Sequence, residues 1–200
     1  LAYFAEIPAV IVNVQRAGPS TGMPTRTQQA DILACAYASH GDTKHVLLFP
    51  EDAKEAFLLT ADALDLADRL QTPVFVMTDL DIGMNERLCE PLAWDDARTY
   101  DRGKVLTHDD LESGKRFGRY LDVDDDGITS RTYPGTHPTR GSFFTRGTSR
   151  DRYARYTEEG SAYVDNMQRL LRKFETAKLY VPEPLVKDSP RTTPHAVIYY

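Results

Sequence analysis

Three short apolar runs constrain the fold of this chain more than any other feature. They cover residues 9–14, 46–49 and 74–78, and each is rich in Val, Ile, Leu or Phe. Continuous apolar runs of this length are typical of strands that are buried on both faces of a parallel sheet. Helical patterns fill the intervals between them, at residues 25–39 and 53–71. This alternation of strand and helix predicts an α/β domain with a parallel sheet.

Composition excludes several classes of protein. The 200 residues include 24 Lys and Arg against 30 Asp and Glu, a net charge of −6. An acidic chain is a poor non-specific partner for nucleic acid or for an anionic membrane. No apolar run approaches the roughly 20 residues that span a bilayer. The two cysteines, Cys35 and Cys89, cannot form a disulfide scaffold, and we interpret them as reduced thiols of a cytoplasmic protein.

The character of the sequence changes after residue 84. We predict that residues 1–84 belong to the α/β domain and that residues 85–181 form a connector with a helix near 153–179. Residues 182–194 contain four prolines and are predicted to be a linker. Residues 195–200 are predicted to be the first strand of a further domain. Because the chain begins without Met and ends on an apolar run, we expect it to be a fragment of a longer polypeptide.

The loop after the first predicted strand has the composition of an anion site. Arg16 follows the strand, and a guanidinium group binds a carboxylate through two parallel hydrogen bonds. Ser20, Thr21 and Thr25 add hydroxyl groups, and Thr25 with Gln28 has capping-box spacing at the positive end of a predicted helix. The patterns of a phosphate loop and of a dinucleotide fingerprint are absent here. The alternative is a tight turn in which the arginine pairs with a local acid.

Two further loops resemble metal sites without matching them. His40, Asp42 and His45 offer three ligands at no helical spacing, which disfavours zinc and favours a turn or the edge of the Arg16 pocket. Residues 122–127 (DVDDDG) resemble the beginning of a calcium loop, but the twelfth position is Tyr133 where Glu is required. A polar turn explains this segment better. We therefore assign no metal ligand in this chain.

A cluster of arginines and aromatic residues occupies positions 131–155. Such a mixture is found in nucleic-acid-binding surfaces. Acidic neighbours, among them Asp151 and Glu158, and the negative net charge argue against that function. Because Arg and Tyr are enriched in protein interfaces, we expect this segment to dock on a partner subunit.

The segment VIVNVQRAGPSTGMPTRTQQADIL, residues 10–33, resembles the α subunit of 2-oxoacid:ferredoxin oxidoreductases, and most of all their 2-oxoglutarate branch. Further segments share the resemblance, namely residues 40–42, 48–57, 71–85, 132–159 and 167–184. The resemblance implies a thiamine diphosphate-binding fold. This chain would supply the C-terminal part of its pyrimidine-binding domain, followed by an extended connector and the first strand of a transketolase-C-like domain.

The resemblance also implies a reaction. These enzymes oxidatively decarboxylate a 2-oxoacid with CoA and give acyl-CoA, CO2 and reduced ferredoxin. Thiamine diphosphate and Mg2+ are shared with a β subunit in an assembly of α2β2 type, and an iron–sulfur cluster lies in another subunit. The expected substrate is 2-oxoglutarate. The alternatives are pyruvate, a branched-chain 2-oxoacid, or a non-catalytic module for subunit assembly.

By position in the family motif, Arg16 corresponds to the arginine that holds the substrate carboxylate, and Thr25 to a threonine of the substrate pocket. We expect further lining from Ser20, Thr21, His40 and Asp42. The family's Tyr-Pro-x-Thr-Pro segment and the glutamate that activates thiamine are absent from these 200 residues. We therefore assign no catalytic residue in this chain and expect it to be inactive alone.

Overall fold

The computed structural model of the chain describes residues 1–18 and 21–198. Its regular elements, in chain order, are α1 (Ala2–Ala5), β1 (Ala9–Gln15), α2 (Ile32–Ala36), β2 (Val46–Leu48), α3 (Ala53–Leu70), β3 (Pro73–Asp79), α4 (Leu80–Met84), α5 (His108–Glu112) and α6 (Gly160–Ala177). The three strands form one parallel sheet in the order β1-β3-β2. The predicted α/β architecture with a parallel sheet is confirmed.

The central strand β3 fixes the register of the sheet. β1 pairs with it along its whole length, from Ala9 opposite Pro73 to Gln15 opposite Asp79. The shorter β2 pairs only with the first half of β3. Because all strands run in one direction, the segments that follow them share one edge, here called the carboxyl edge. The segments that precede the strands lie at the opposite, amino edge.

The main hydrophobic core lies between the sheet and α3. Leu70 of α3 and Val74 of β3 are completely buried in the same cluster. Ile128 and Ala177 belong to that cluster as well, although they come from the chain after the sheet. The segment that follows the sheet is therefore packed against the same core.

The first predicted helix is much shorter than the range 25–39. Only α2 is helical there, because Asp31 forms hydrogen bonds with β1 and with Arg16, the residue that follows it. Its carboxylate accepts hydrogen bonds from the backbone N of Arg16 and from Nδ2 of Asn13, both at 3.3 Å. The capping box predicted at Thr25 does not form, and Asp31 occupies the position before the helix. Tertiary hydrogen bonds override the local helix signal.

The last helix begins seven residues later than the predicted range 153–179. A turn precedes it, in which the Asp151 carboxylate accepts hydrogen bonds from the backbone N of Tyr153 at 2.8 Å and of Arg155 at 2.9 Å. Ala154 has a φ of 63°, which interrupts a helix. The aspartate side chain satisfies backbone groups that a helix would otherwise bond.

The end of the chain was predicted to be a linker and a strand. Residues 182–194 contain no helix or strand. Residues 195–198 also adopt no regular structure, so the predicted strand is not observed there, and residues 199 and 200 lie outside the described part. The division of the chain into domains stays a prediction.

One buried carboxylate joins four distant parts of the chain. The Glu6 side chain accepts hydrogen bonds from Arg169 at 3.1 Å, Arg150 at 3.2 Å and Lys173 at 3.1 Å. Arg119 donates to the backbone O of Glu6 at 2.8 Å. Burial alone would raise the pKa of Glu6, but the charges of Arg169 and Lys173 outweigh it and lower this pKa. Burial lowers the pKa of Lys173 to about 8. We call these five residues the Glu6 cluster.

Glu6→Gln is expected to destabilise the fold strongly, because it leaves buried cations without their carboxylate. Breaking a buried ion pair on one side costs about 3–5 kcal/mol of unfolding free energy. Urea denaturation measures this loss. The matched control is Glu159→Gln, which is exposed and should change the stability by less than about 0.5 kcal/mol. A loss below about 1 kcal/mol for Glu6→Gln would contradict the prediction.

Lys173 should make stability rise between pH 8 and pH 10. Its pKa is about 8 in the folded chain and near 10.5 when exposed, so the unfolded chain binds more protons in that interval. Stability then increases with pH by at most about 1.4 kcal/mol per unit in this interval. It levels off below pH 8 and above pH 10.5, where the folded and unfolded chains bind the same number of protons. The measurement compares urea denaturation of the wild type and Lys173→Met from pH 7 to pH 10. Equal slopes for the two proteins would contradict the assignment.

Candidate functional site

The carboxyl edge brings two loops together. Arg16 directly follows β1, and Asp79, the last residue of β3, pairs with Gln15, the residue before Arg16. The Asp79 carboxylate accepts a hydrogen bond from the backbone N of Ile82 at 3.0 Å and so caps α4. Parallel sheets bind their ligands at this edge, where loops leave neighbouring strands.

The loop that begins at Arg16 is closed on itself. The backbone N of Met23 donates to the backbone O of Arg16 at 3.2 Å, and that of Gly22 donates to the backbone O of Ala17 at 3.0 Å. A Cβ at Gly22 would lie 2.3 Å from the Arg16 carbonyl oxygen, so only glycine allows this close approach. The guanidinium group of Arg16 then donates through Nη2 to the backbone O of Pro24 at 2.7 Å.

The guanidinium group of Arg16 retains unused hydrogen-bonding capacity. Its Nε is buried and has no hydrogen-bond partner among residues 1–18 and 21–198. Within the same part of the chain, the group forms no ion pair, and Asp31 accepts a hydrogen bond from the Arg16 backbone instead. The alternative in which Arg16 pairs with a local acid is therefore not observed. A buried donor without a partner is costly, and a bound carboxylate would satisfy it.

Polar side chains support the loop from behind. The Gln15 side chain accepts a hydrogen bond from the backbone N of Asp31 at 3.3 Å. Gln29 donates to the Asp79 carboxylate at 2.7 Å. Sequence reasoning missed Gln29, Asp31 and Asp79. Asp79 had a usable signal, because it directly follows the predicted strand 74–78 at the same edge as Arg16.

The structure places the predicted pocket residues in two groups. Thr21 and Thr25 are exposed on the same loop as Arg16. Ser20 lies outside the described residues. His40 and Asp42 precede β2 and so lie towards the amino edge, where Asp42 accepts a hydrogen bond from the Tyr163 hydroxyl at 2.5 Å.

This separation corrects the expectation that His40 and Asp42 share an edge with Arg16. In a parallel sheet, the segment that enters a strand and the segment that leaves one lie at opposite ends. Arg16 directly follows β1, whereas His40 and Asp42 precede β2. Their role as pocket lining stays a prediction that this placement does not support.

Basic side chains of the chain itself already pair with the acidic loop at residues 122–127. The Lys104 ammonium group lies 2.7 Å from the Asp124 carboxylate and 2.8 Å from that of Asp126, and it donates to the backbone O of Ile128 at 3.0 Å. Arg172 pairs with the carboxylates of Asp122 and Asp125. Lysine and arginine thus neutralise the loop, which favours the polar turn over a calcium site.

Calcium is accordingly expected to leave the chain unaffected. A site with a dissociation constant of about 10 μM would stabilise the fold by about 2.7 kcal/mol at 1 mM calcium. We expect the melting temperature to agree within about 1 °C between 1 mM CaCl2 and 1 mM EDTA, as measured by circular dichroism. A calcium-dependent increase of several degrees would contradict the interpretation of this loop.

His108, Glu112 and His137 form another group of candidate ligands, with ligand atoms within 4.8 Å of one another. Nδ1 of His137 accepts hydrogen bonds from the backbone N of Thr139 at 3.1 Å and of Arg140 at 2.9 Å. The ring proton is therefore assigned to Nε2, which donates to Glu112 at 2.6 Å. A metal ion at Nε2 would have to displace this proton and the hydrogen bond to Glu112. The geometry favours a hydrogen-bonded pair that joins α5 to the following loop.

The fold and the Arg16 loop define a class of protein, a parallel α/β domain with an arginine that has no carboxylate partner in the described chain at its carboxyl edge. The family model described as pyruvate flavodoxin/ferredoxin oxidoreductase, thiamine diphosphate-binding, matches residues 1–175. The chain belongs to this family, and the resemblance found in the sequence is confirmed.

Similar curated proteins include members of the same family. The 2-oxoglutarate synthase subunit KorA of Methanocaldococcus jannaschii is 37% identical over 111 residues, which are 56% of this chain and 26% of that protein. The α subunit of 2-oxoacid:ferredoxin oxidoreductase 2 of Aeropyrum pernix is 33% identical over 184 residues, 92% of this chain and 27% of that protein. The chain thus spans about a quarter of the length of these relatives.

A solved structure shares the fold. It is the 2-oxoglutarate:ferredoxin oxidoreductase from Magnetococcus marinus with 2-oxoglutarate, coenzyme A and succinyl-CoA bound. The TM-score is 0.75 at 24% identity, over 91% of this chain and 30% of that one. Among the described residues, no helix has the length and apolar character needed to cross a bilayer.

Proposed function

We propose that this chain contributes the carboxylate-binding site of a thiamine diphosphate-dependent 2-oxoacid:ferredoxin oxidoreductase. The enzyme would convert 2-oxoglutarate and CoA to succinyl-CoA, CO2 and reduced ferredoxin. One observation supports this most directly: the Arg16 guanidinium group lies at the carboxyl edge with a buried Nε that lacks a partner, and it forms no ion pair in the described chain. Arg98, Arg131 and Arg150 also have an unpartnered Nε, but each of them pairs with a carboxylate. The names of the KorA relatives and the ligands of the Magnetococcus enzyme support 2-oxoglutarate as the substrate.

Arg16 would bind and orient the 2-oxoacid through its carboxylate. The hydrogen bond from Nη2 to Pro24 fixes the plane of the guanidinium group, so that Nε and the remaining N–H groups can donate in parallel. The exposed hydroxyls of Thr21 and Thr25 lie on the same loop and would donate to the substrate from the side. A fixed orientation of the substrate lowers the entropic part of the activation barrier.

The cationic loop fits the substrate better than the cofactor. Thiamine diphosphate, when bound, supplies the electron sink that decarboxylation requires. The Arg16 donors suit a carboxylate, and within the described residues we assign no side chain to the thiamine ring, the diphosphate or Mg2+. We propose that these groups, and an iron–sulfur cluster, are held largely by other parts of an α2β2-type assembly. This chain accordingly would not turn over alone.

The acceptor, the second substrate and the compartment belong to the same proposal. The electron acceptor would be ferredoxin, and CoA the second substrate. We propose the cytoplasm as the compartment, which agrees with the free thiols of Cys35 and Cys89.

Arg16→Ala should reduce kcat/KM for 2-oxoglutarate by about 100- to 1,000-fold, which corresponds to roughly 3–4 kcal/mol of transition-state stabilisation. The assay is viologen reduction by the full-length α subunit co-expressed with its β partner, with thiamine diphosphate, Mg2+ and CoA. Arg16→Lys keeps the charge but not the parallel donors and should recover little activity. The matched control is Arg26→Ala, an exposed arginine close by on the same loop, which should retain activity.

The outcomes separate the candidate functions. Activity that survives Arg16→Ala in an assembled complex would remove the carboxylate-binding role but keep the family's reaction. A preference for pyruvate or a branched-chain 2-oxoacid would change the substrate alone. No activity with any 2-oxoacid, despite bound thiamine diphosphate, would overturn the oxidoreductase proposal and leave a module for subunit assembly.

A further inference from the structure

An exposed surface of the connector carries arginine and aromatic side chains in mutual contact. We call it the basic aromatic ridge, and it consists of Arg116, Phe144, Arg146, Tyr153, Arg155 and Tyr156. Phe144 is 78% exposed and Tyr156 is 59% exposed. Large aromatic groups at this exposure are costly to leave in water, and when grouped with arginine they are typical of the centre of a protein interface.

The ridge is continuous. The guanidinium carbon of Arg116 lies 5.8 Å from the ring centre of Tyr153, and that of Arg155 lies 5.9 Å from the same ring. Arg146 lies 5.9 Å from the Tyr156 ring and 6.0 Å from the Phe144 ring. Segment 153–156 joins these two groups, because Nε of Arg146 donates to the backbone O of Ala154 at 2.9 Å.

Buried contacts hold the ridge in place although it contains no helix or strand. The Tyr120 hydroxyl accepts a hydrogen bond from the backbone N of Arg146 at 3.0 Å. The Arg150 guanidinium group lies 3.6 Å from the centre of the Tyr120 ring and donates to Glu6 of the Glu6 cluster. A surface that is ordered before binding loses less entropy when a partner docks.

The charge of the ridge is opposite to that of the whole chain. The three arginines of the ridge make it positive in a chain of net charge −6. The other arginines of residues 140–156 are paired with carboxylates, Arg140 with Glu112, Arg150 with Glu6 and Arg152 with Asp165. Within the described part of the chain, the guanidinium groups of Arg116, Arg146 and Arg155 form no ion pair. Other surface arginines, such as Arg98, are paired with aspartates. A guanidinium group stacked on a ring keeps its N–H edge available to a carboxylate.

We propose that the basic aromatic ridge docks a protein surface that presents carboxylates, on the second subunit of the assembled oxidoreductase. The choice of that subunit rests on the proposed function. Carboxylates would pair with the three unpaired arginines while Phe144 and Tyr156 are covered. Nucleic acid is disfavoured, because the rest of the chain is acidic and would repel a phosphate backbone.

The test measures the dissociation constant between the full-length α subunit and its purified β subunit by biolayer interferometry. We expect the double variant Arg116→Glu/Arg155→Glu to weaken binding by about 30-fold or more at 50 mM salt, and by clearly less at 300 mM salt. The double variant Phe144→Ala/Tyr156→Ala should weaken binding similarly at both salt concentrations, since it removes apolar contacts.

The matched control is Lys187→Glu/Arg191→Glu, which makes the same change of charge in the exposed segment near the end of the chain. It should leave the dissociation constant within about threefold of the wild type. Circular dichroism melts establish that each variant is folded. If the glutamate variant unfolds, Arg116→Gln/Arg155→Gln takes its place and should still weaken binding by about tenfold at low salt.

Equal weakening by the ridge and control variants, or no weakening by either, would overturn the proposal. So would a ridge variant that instead loses binding of a labelled RNA, or that dissociates a dimer of α subunits in sedimentation. The proposed function fails separately. A complex whose affinity depends on the ridge but that oxidises no 2-oxoacid would support the docking proposal and overturn the proposed reaction. An active complex whose affinity does not depend on the ridge would support the reaction and overturn the docking proposal.

Discussion

The carboxylate of Glu6 is the point on which the arrangement of the chain depends. Glu6 lies three residues before β1, and the partners of its carboxylate come from the connector and from α6, between 144 and 167 residues further along the chain. Four cations surround one buried carboxylate. The backbone carbonyls of Gly127 and Gln71 accept further hydrogen bonds from Arg169 and Lys173, respectively. Such a group is costly to bury, so the cluster is weak evidence for net stability, although removing one partner is strongly destabilising.

The position of this cluster links the connector to the candidate site. Because Glu6 lies only three residues before β1, its contacts also hold the beginning of that strand in place. β1 is paired with β3 over all seven of its residues, so the constraint is carried to Arg16 at the carboxyl edge. The loop that follows is closed by its own hydrogen bonds and by the close approach at Gly22. The guanidinium group is therefore held on a rigid base although its loop has no regular structure.

Sequence patterns correctly predicted those features of the fold that depend on residues close together in the chain. The three strands, α3 and the placement of Arg16 after a buried strand all follow from periodicity and turn chemistry. The same reasoning failed where distant groups decide. Asp31 is held by Asn13 of β1, which shortens α2, and the partners of Glu6 carry no pattern that marks them as neighbours. His40 and Asp42 were grouped with Arg16 by residue type, whereas the sheet's direction separates the two loops.

Three arginines of the described chain illustrate different environments, which the partners of their N–H groups distinguish. Arg169 is buried and bonded to the Glu6 carboxylate and to the backbone O of Gly127, so it has little capacity left for a ligand. Arg16 is held by one carbonyl with a buried Nε that has no partner in the described chain, which suits a small carboxylate at a defined angle. Arg155 is exposed and stacked on Tyr153, which suits a broad surface of carboxylates. Residue type alone does not separate a structural arginine from a binding one, and neither does a buried Nε without a partner, which Arg98, Arg131 and Arg150 share with Arg16. Those three arginines pair with carboxylates, whereas Arg16 forms no ion pair in the described chain.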